Sequence, residues 1–362
     1  MKKLKIGILT HNYPSSSKER KDAGIFIYDF AHELSKHAKV YVLCPEFSSK
    51  KQNYRKVPVT WFRWSSKPKK LGNWQLFNPI SVFNFFKLIF IGQSKAIEFA
   101  KKNQLDYCLS CWALPSAVFA WRIKQTLDIP YASWSLGSDV NKFVKIPILK
   151  QFIQVAFANA DVLYANSFAL KQKVQQISRK RCEFLPAITD FNQKLPKISR
   201  NNNPFRFLFV GRLEKVKGPD VLFKAAKILA VENKKFVIDV LGDGSLKKQL
   251  TKKASEMKGM VIFQGWADEA KVSKFMATAN CLIIPSRSES MPLVLIEAAK
   301  LGLSVIATDV GDCKRVLKKY KIGVSVDPEN PPALAKAMKQ MIDTITKLPL
   351  KSGFLIIFNP NW

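Results

Sequence analysis

Short apolar runs, each closed by a polar or glycine-bearing turn and followed by a stretch of helical period, recur along the chain. The first is LKIGIL, which ends at THNYPSSSKERKDAG; IFIYDFAHELSKHA then shows helical spacing, and KVYVLCP restores a strand-length run. The β-loop-α-β order repeats at YCLSCWALP, YASWSLG and VLYANS, which predicts a parallel sheet with helices on its faces. After the polar, proline-bounded stretch TDFNQKLPKISRNNNP (residues 189–204) the rhythm restarts. FRFLFVG, a helix from about Pro219, FVIDVLG, VIFQG, CLIIPS, SVIATDVG and IGVSVDP follow one another with helical segments between. The pattern therefore predicts an α/β chain of two doubly wound domains, residues 1–195 and 196–345, with ligands at the carboxyl ends of the strands and in a cleft between the halves. Pro349 breaks the last helical pattern, so residues 346–362 are expected to be an atypical tail, truncated or altered.

One run breaks the rhythm. NPISVFNFFKLIFIGQ (residues 78–93) is the longest greasy segment, but Lys87 interrupts it and it falls short of the roughly 20 apolar residues of a membrane span. Its interleaved Phe, Ile and Lys, with KPKK at residues 67–70 just upstream, fit either a surface that dips into an anionic bilayer or an ordinary buried helix. The apolar part of MKKLKIGIL is too short for a secretory signal, so the protein is expected in the cytoplasm, on the inner face of the membrane if it meets one.

Charge narrows the partners. The chain has 362 residues and a formal net charge of +32, which calls for anionic partners: nucleic acid, phosphorylated small molecules or an acidic membrane. No recognition helix, metal finger or aromatic RNA-binding signature is readable, so nucleic acid is not the expected partner. Cys108 and Cys111 form a C-x2-C pair, yet no second ligand pair exists, because His11, His32 and His37 all fall near the N-terminus. Buried reduced thiols are expected.

The chemistry-bearing motifs cluster in the second half. At PSRSESMPLVLIEAAKLG (residues 285–302), the apolar run CLIIPS that leads into it is the strand, SESM its carboxyl-end turn, and PLVLIEAAKL a helix with Pro292 near its first position. Glu289 falls in the turn and Glu297 in the second helical turn, both able to face one cleft; a solvated loop charge and an exposed helix residue are the alternative. VGRLEKVKGPDVL (residues 210–222) offers Gly211, Arg212 and Lys217 at a strand-to-helix turn, two cations suited to a diphosphate. VLGDGSLKKQL has Gly242 and Gly244 in a G-x-G turn, but Lys247 stands where a dinucleotide fingerprint needs a third glycine, so the turn reads as a pocket wall. Trp266, in FQGWAD, either stacks on a base or packs.

The ordered set VGRLEKVKG, LGDG, FQGWAD, PSRSESMPLVLIEAAKLG and VIATDVG resembles glycosyltransferase family 4, retaining nucleotide-sugar transferases of the GT-B fold, whose E-x7-E signature is matched by Glu289 and Glu297. The resemblance implies a UDP- or GDP-linked sugar as donor and no cofactor. It implies that Arg212 and Lys217 hold the diphosphate, Glu297 the ribose, and Glu289 with the amides of Ser290 and Met291 the sugar, Pro292 and Leu293 completing that donor loop. It makes Glu289, Arg212 and Lys217 the catalytic set. In the first half it implies a glycine-rich loop, here reduced to Gly24, and an H-G-S-D-like motif, here WSLGSDVN, which keeps Asp139 on the acceptor side but has Leu136 where the histidine is usual. The acceptor is then a glycan or a lipid-linked molecule of the cell envelope.

No D-x-D occurs in the chain, so a metal-bridged diphosphate is not expected and the two cations must offset the leaving-group charge. A glycosidase would need two acids flanking a bond at roughly 5–9.5 Å, and phosphate-binding cations argue against it. A noncatalytic sugar-nucleotide binder and a basic nucleic-acid-binding protein stand as alternatives.

Overall fold

The computed structural model describes residues 3–14, 24–46, 57–65, 79–187, 197–232, 235–257 and 259–345, with the side chains of residues 79, 138 and 139 left out. The chain divides into two compact units, Met1–Asp190 and Phe191–Trp362. The KPKK segment, residues 189–196 of the linker stretch and the 346–362 tail lie outside the described residues.

In the first unit β1 (Lys5–Leu9), β2 (Lys39–Pro45), β3 (Val59–Phe62), β4 (Tyr107–Cys111), β5 (Tyr131–Ser135), β6 (Val162–Ala165) and β7 (Cys182–Phe184) form a seven-stranded sheet in the order β3-β2-β1-β4-β5-β6-β7. Every pair is parallel, with Ile8 opposite Val42 and Leu109. Ile8 packs into one hydrophobic cluster and its neighbour Leu9 into the other. Both faces of the strand are covered, which is why it reads as an unbroken apolar run rather than an alternation. The edge strands β3 and β7 were not predicted from sequence. They are short and only partly buried, so they carry no such run.

All six cysteines are free and buried. Cys108 and Cys111 join opposite clusters, so the C-x2-C pair is split across the sheet and holds no common ligand. Burial pushes the Cys108 thiol up to about 12.

The second unit has six strands, β8 (Phe205–Val210), β9 (Phe236–Leu241), β10 (Val261–Gly265), β11 (Cys281–Ile284), β12 (Ser304–Thr308) and β13 (Gly323–Val326), ordered β10-β9-β8-β11-β12-β13 and all parallel. Both sheets are doubly wound, and the strand order reverses beside β1 in the first and beside β8 in the second. Ligand crevices of such sheets lie at the carboxyl ends of the strands at that reversal. Residues 199–202, read as linker, are fastened to the second unit: Ser199 donates its amide to Ala277, Arg200 holds the carbonyls of Leu301 and Gly302 at 3.0 and 3.2 Å, and Asn280 donates to Asn202 at 2.7 Å.

Residues 79–93 of the greasy segment are part of a longer helix, Pro79–Asn103, of 25 residues. Among the described residues it is the one helix long and apolar enough to cross a membrane by length and composition. Phe85, Leu88, Ile89, Ala96, Phe99 and Ala100 along it are buried in the first unit's core.

Candidate functional site

The loops leaving β8, β9, β11 and β12 meet at the carboxyl edge of the second sheet. The loop after β8 runs through Gly211 and Arg212 into a 3-10 turn, Lys215–Lys217, and Gly218, in the left-handed region at φ 65°, opens the helix Pro219–Ala230. A Cβ on Gly218 would lie 1.9 Å from the Pro285 carbonyl oxygen, so that glycine lets the β8 loop and the β11 loop touch backbone to backbone. Gly242 and Gly244 do the same on the other side, where added Cβ atoms would lie 1.9 Å from the Gly211 oxygen and 2.6 Å from the Leu213 oxygen. Leu213 donates its amide to Asp243, Leu246 returns one to Leu213, and Ser245 binds the Glu214 carboxylate through amide and hydroxyl at 2.9 and 2.7 Å. The G-x-G turn thus serves as a backbone brace for the β8 loop.

That bracing brings Lys217 to Glu289. Lys217 Nζ donates to Glu289 Oε1 at 2.6 Å, and Ser286 Oγ donates to the same oxygen at 2.7 Å. The Glu289 side chain keeps 10% of its exposure and Lys217 26%, so neither is a solvated charge. Arg212 is exposed and makes no ion pair among the described residues. Glu289 and Ser290 are strapped from beyond β12: Asp312 donates its amide to the Ser290 oxygen at 2.9 Å, and Gly311, at φ 57°, leaves room for the Ser290 and Glu289 carbonyls. Thr308 Oγ1 donates to the Ser286 oxygen at 2.6 Å. Met291 and Pro292 are buried; Pro292 is the extended cap residue and the helix runs Leu293–Lys300, one position later than the sequence reading placed its start.

Glu297 projects from that helix. Burial pushes its carboxyl up to about 7, the Glu269 carboxylate adding to the shift and Lys300 opposing it. Its folded value lies above the ordinary 4.5, so its contribution to stability is complete below 4.5 and lost as the pH rises through about 7. An ionised Glu297 therefore costs the fold something that a ligand's hydroxyls can return.

Three contributors were missed by sequence reasoning. Arg287 holds Asp220 through both terminal nitrogens at 2.8 Å, also pairs with Glu329, and donates its amide to Val216, clamping the β11 loop onto the helix after β8. These acids raise the Arg287 guanidinium above its ordinary value. Glu269, in the first turn of the helix Glu269–Thr278, is brought beside Glu297. Gly311 belongs to VIATDVG, where a glycine after a strand was the available signal. Trp266 is half-buried in the loop after β10.

In the first unit, Gly24 caps the helix Ile25–Ser35, and a Cβ there would come within 2.4 Å of the Asn12 oxygen. Gly137, at φ 116°, precedes the short helix Ser138–Phe143, on whose backbone Asp139 lies. Leu136 packs on the aromatic cluster around Trp134. His11, beyond β1, sits against Trp112, beyond β4, with ring centroids 4.5 Å apart, at the reversal point of this sheet. Burial lowers its imidazole to about 3, so it is neutral there, and Trp112 is held in the left-handed region at φ 70°.

Residues 190–348 match the family model of glycosyl transferases group 1. A putative teichuronic acid biosynthesis glycosyltransferase, TuaC of Bacillus subtilis, is 26% identical over 92% of this chain and 88% of its own length. The D-inositol 3-phosphate glycosyltransferase of Paenarthrobacter aurescens is 30% identical over 39% of this chain and 36% of its own. Among solved structures, sucrose-phosphate synthase from Thermosynechococcus elongatus superimposes with a TM-score of 0.71 at 15% identity, over 94% of this chain and 90% of that one. Anabaena HepE in complex with UDP gives 0.71 at 16% identity, over 94% and 91%.

Proposed function

We propose, from the match of residues 190–348 to the group 1 glycosyl transferase model in a chain of the GT-B fold, a retaining, metal-independent transferase that moves a hexose from a UDP- or GDP-linked donor to a glycan or lipid-linked acceptor. The observation that carries the reading is the Lys217–Glu289 ion pair, set with Ser286 at the carboxyl edge of the second sheet. Lys217 is anchored so that its charge is already in place when a diphosphate arrives, and exposed Arg212 supplies the second cation as a planar fork. Both offset the charge that grows on the leaving nucleotide. Glu289, once Lys217 turns to phosphate, accepts hydroxyls of the sugar, with the amides of Ser290 and Met291 beside it. Glu297 accepts the ribose hydroxyls and holds them best when ionised. Gly242 and Gly244 hold the β8 loop in place for the nucleotide, Gly211 lets backbone approach it, Pro292 and Leu293 present the helix start to it, and Trp266 borders the base.

Support for a nucleotide donor comes from HepE, whose structures hold UDP and UDP-glucose. Support for an envelope polysaccharide comes from the teichuronic acid relative, and we place the transfer in the cytoplasm as part of the same proposal. A noncatalytic sugar-nucleotide binder is the second reading, favoured by Leu136 lying in the aromatic cluster where the family's histidine is usual. The two separate in one assay: labelled UDP- and GDP-sugars are offered with lipid-linked glycan acceptors in EDTA, and the product anomer is read by NMR. Transfer with retained configuration is expected; binding without transfer establishes the second reading, and an EDTA-sensitive reaction overturns metal independence.

A further inference from the structure

The helix Pro79–Asn103 has a buried face and a face that solvent does not suit. Its buried side packs against the helix Ser116–Leu127 so closely that a Cβ on Gly92 would lie 2.2 Å from the Phe119 ring. An amphipathic helix normally puts polar residues opposite such a face. Here Phe83 and Phe90 stand there, 68% and 76% exposed, with exposed Lys87 between them on the same helical row.

The neighbouring helix Pro147–Asn159 repeats the pattern, with Ile148 and Val155 51% and 41% exposed. The two helices are joined by the rings of Phe86 and Phe152, whose centroids are 6.2 Å apart. Phe86 lies one turn from both Phe83 and Phe90, and Phe152 one turn from both Ile148 and Val155, so the four exposed groups border a single seam. Cations surround it. Lys87, Lys142 and Lys145 are exposed, and residues 140–160 contain no acidic residue. On the long helix the one acid, Glu98, is paired with Lys95 at 2.7 Å.

We infer that this seam is a membrane-docking surface, on which Phe83, Phe90, Ile148 and Val155 enter the headgroup boundary of an anionic bilayer while Lys87, Lys142 and Lys145 meet its phosphates. Apolar groups ringed by cations, with no acid to repel the lipid, are complementary to that surface. The helix lies along the bilayer and does not cross it, because crossing would strip six core side chains from the first unit. A second copy fits worse, since two such faces would bring like charges together. The inference goes beyond the transferase reading and does not depend on it.

The test is cosedimentation of the full chain with vesicles of phosphatidylcholine alone and of phosphatidylcholine mixed with phosphatidylglycerol. Binding to the mixed vesicles only is expected, weakening as salt rises. Phe83→Ser with Phe90→Ser should reduce partitioning on the order of tenfold for each phenylalanine, and Lys87→Glu with Lys145→Glu at least about fivefold for each lysine. Neither pair should move the melting curve, since all four side chains are exposed. Equal binding by wild type and variants, or binding to neither vesicle, overturns the inference. So does a wild-type dimer that the Phe83→Ser, Phe90→Ser chain fails to form while vesicle binding is absent. Nucleotide titration of the same proteins separates the two readings: vesicle binding without nucleotide binding removes the transferase proposal alone.

Discussion

Replacing Lys217 by alanine is expected to lower the transfer rate about 100-fold or more while the chain still folds. A charge-assisted bond to phosphate contributes about 1.5–3 kcal/mol, roughly 10- to 150-fold in donor affinity. The loss in turnover adds to this, because a preorganised cation acts most strongly where charge develops on the leaving diphosphate. Lys217 is also half-buried against Glu289, so the fold does not escape untouched. An exposed pair contributes about 0–1 kcal/mol and breaking a buried one costs about 3–5; with exposures of 26% and 10% the expected cost lies between, at about 1–3 kcal/mol. Ser286 remains on the Glu289 carboxylate and limits the damage. Calorimetric titration beside a melting curve checks both parts, and unchanged donor affinity in Lys217→Ala would remove the lysine from the site.

Gly218→Ala is expected to cost about 2–5 kcal/mol of stability: about 1–2 for an L-residue in the left-handed region and about 1–3 for overpacking. The overpacking is against backbone, the Pro285 carbonyl at 1.9 Å, which no rotamer can relieve. Because Gly218 joins the loop of Lys217 to the loop of Glu289, donor affinity should fall with stability, even though the added methyl group would touch no ligand. A fall of several degrees in Tm is the readout. A variant melting with the wild type would mean that the two loops do not press together as described.

The sheets were legible because β1, β8 and β11 are buried on both faces and so read as continuous apolar runs; β3 and β7 were not, being short edges. Glu289 and Glu297 could be singled out by spacing within one strand-turn-helix. Their partners could not. Lys217 reaches Glu289 across 72 positions and Arg287 reaches Asp220 across 67, distances that only the parallel winding of β8 and β11 brings to contact. Glu269 carries no local signal beyond an acid in a first helical turn, where acids are common for reasons of the helix dipole. Gly218, Gly242 and Gly311 were visible as turn residues, but which carbonyl fills the space each leaves is a property of the neighbouring loop. The helix Pro79–Asn103 outran the greasy segment because Lys95, Lys101 and Lys102 fall on its outer face, where charge costs nothing.

The central claim is that Glu289 and Glu297 hold opposite ends of one sugar nucleotide, and direct titration at pH 8, where Glu297 is ionised, tests it. Free UDP or GDP and the matching nucleotide sugar are titrated into the wild type, Glu289→Gln and Glu297→Gln. Hydroxyls bind a neutral amide more weakly than a carboxylate. The account predicts that Glu297→Gln weakens both ligands, whereas Glu289→Gln weakens the nucleotide sugar and leaves the free nucleotide as in the wild type. Equal loss of the free nucleotide in both variants, or no nucleotide binding by the wild type, would contradict it.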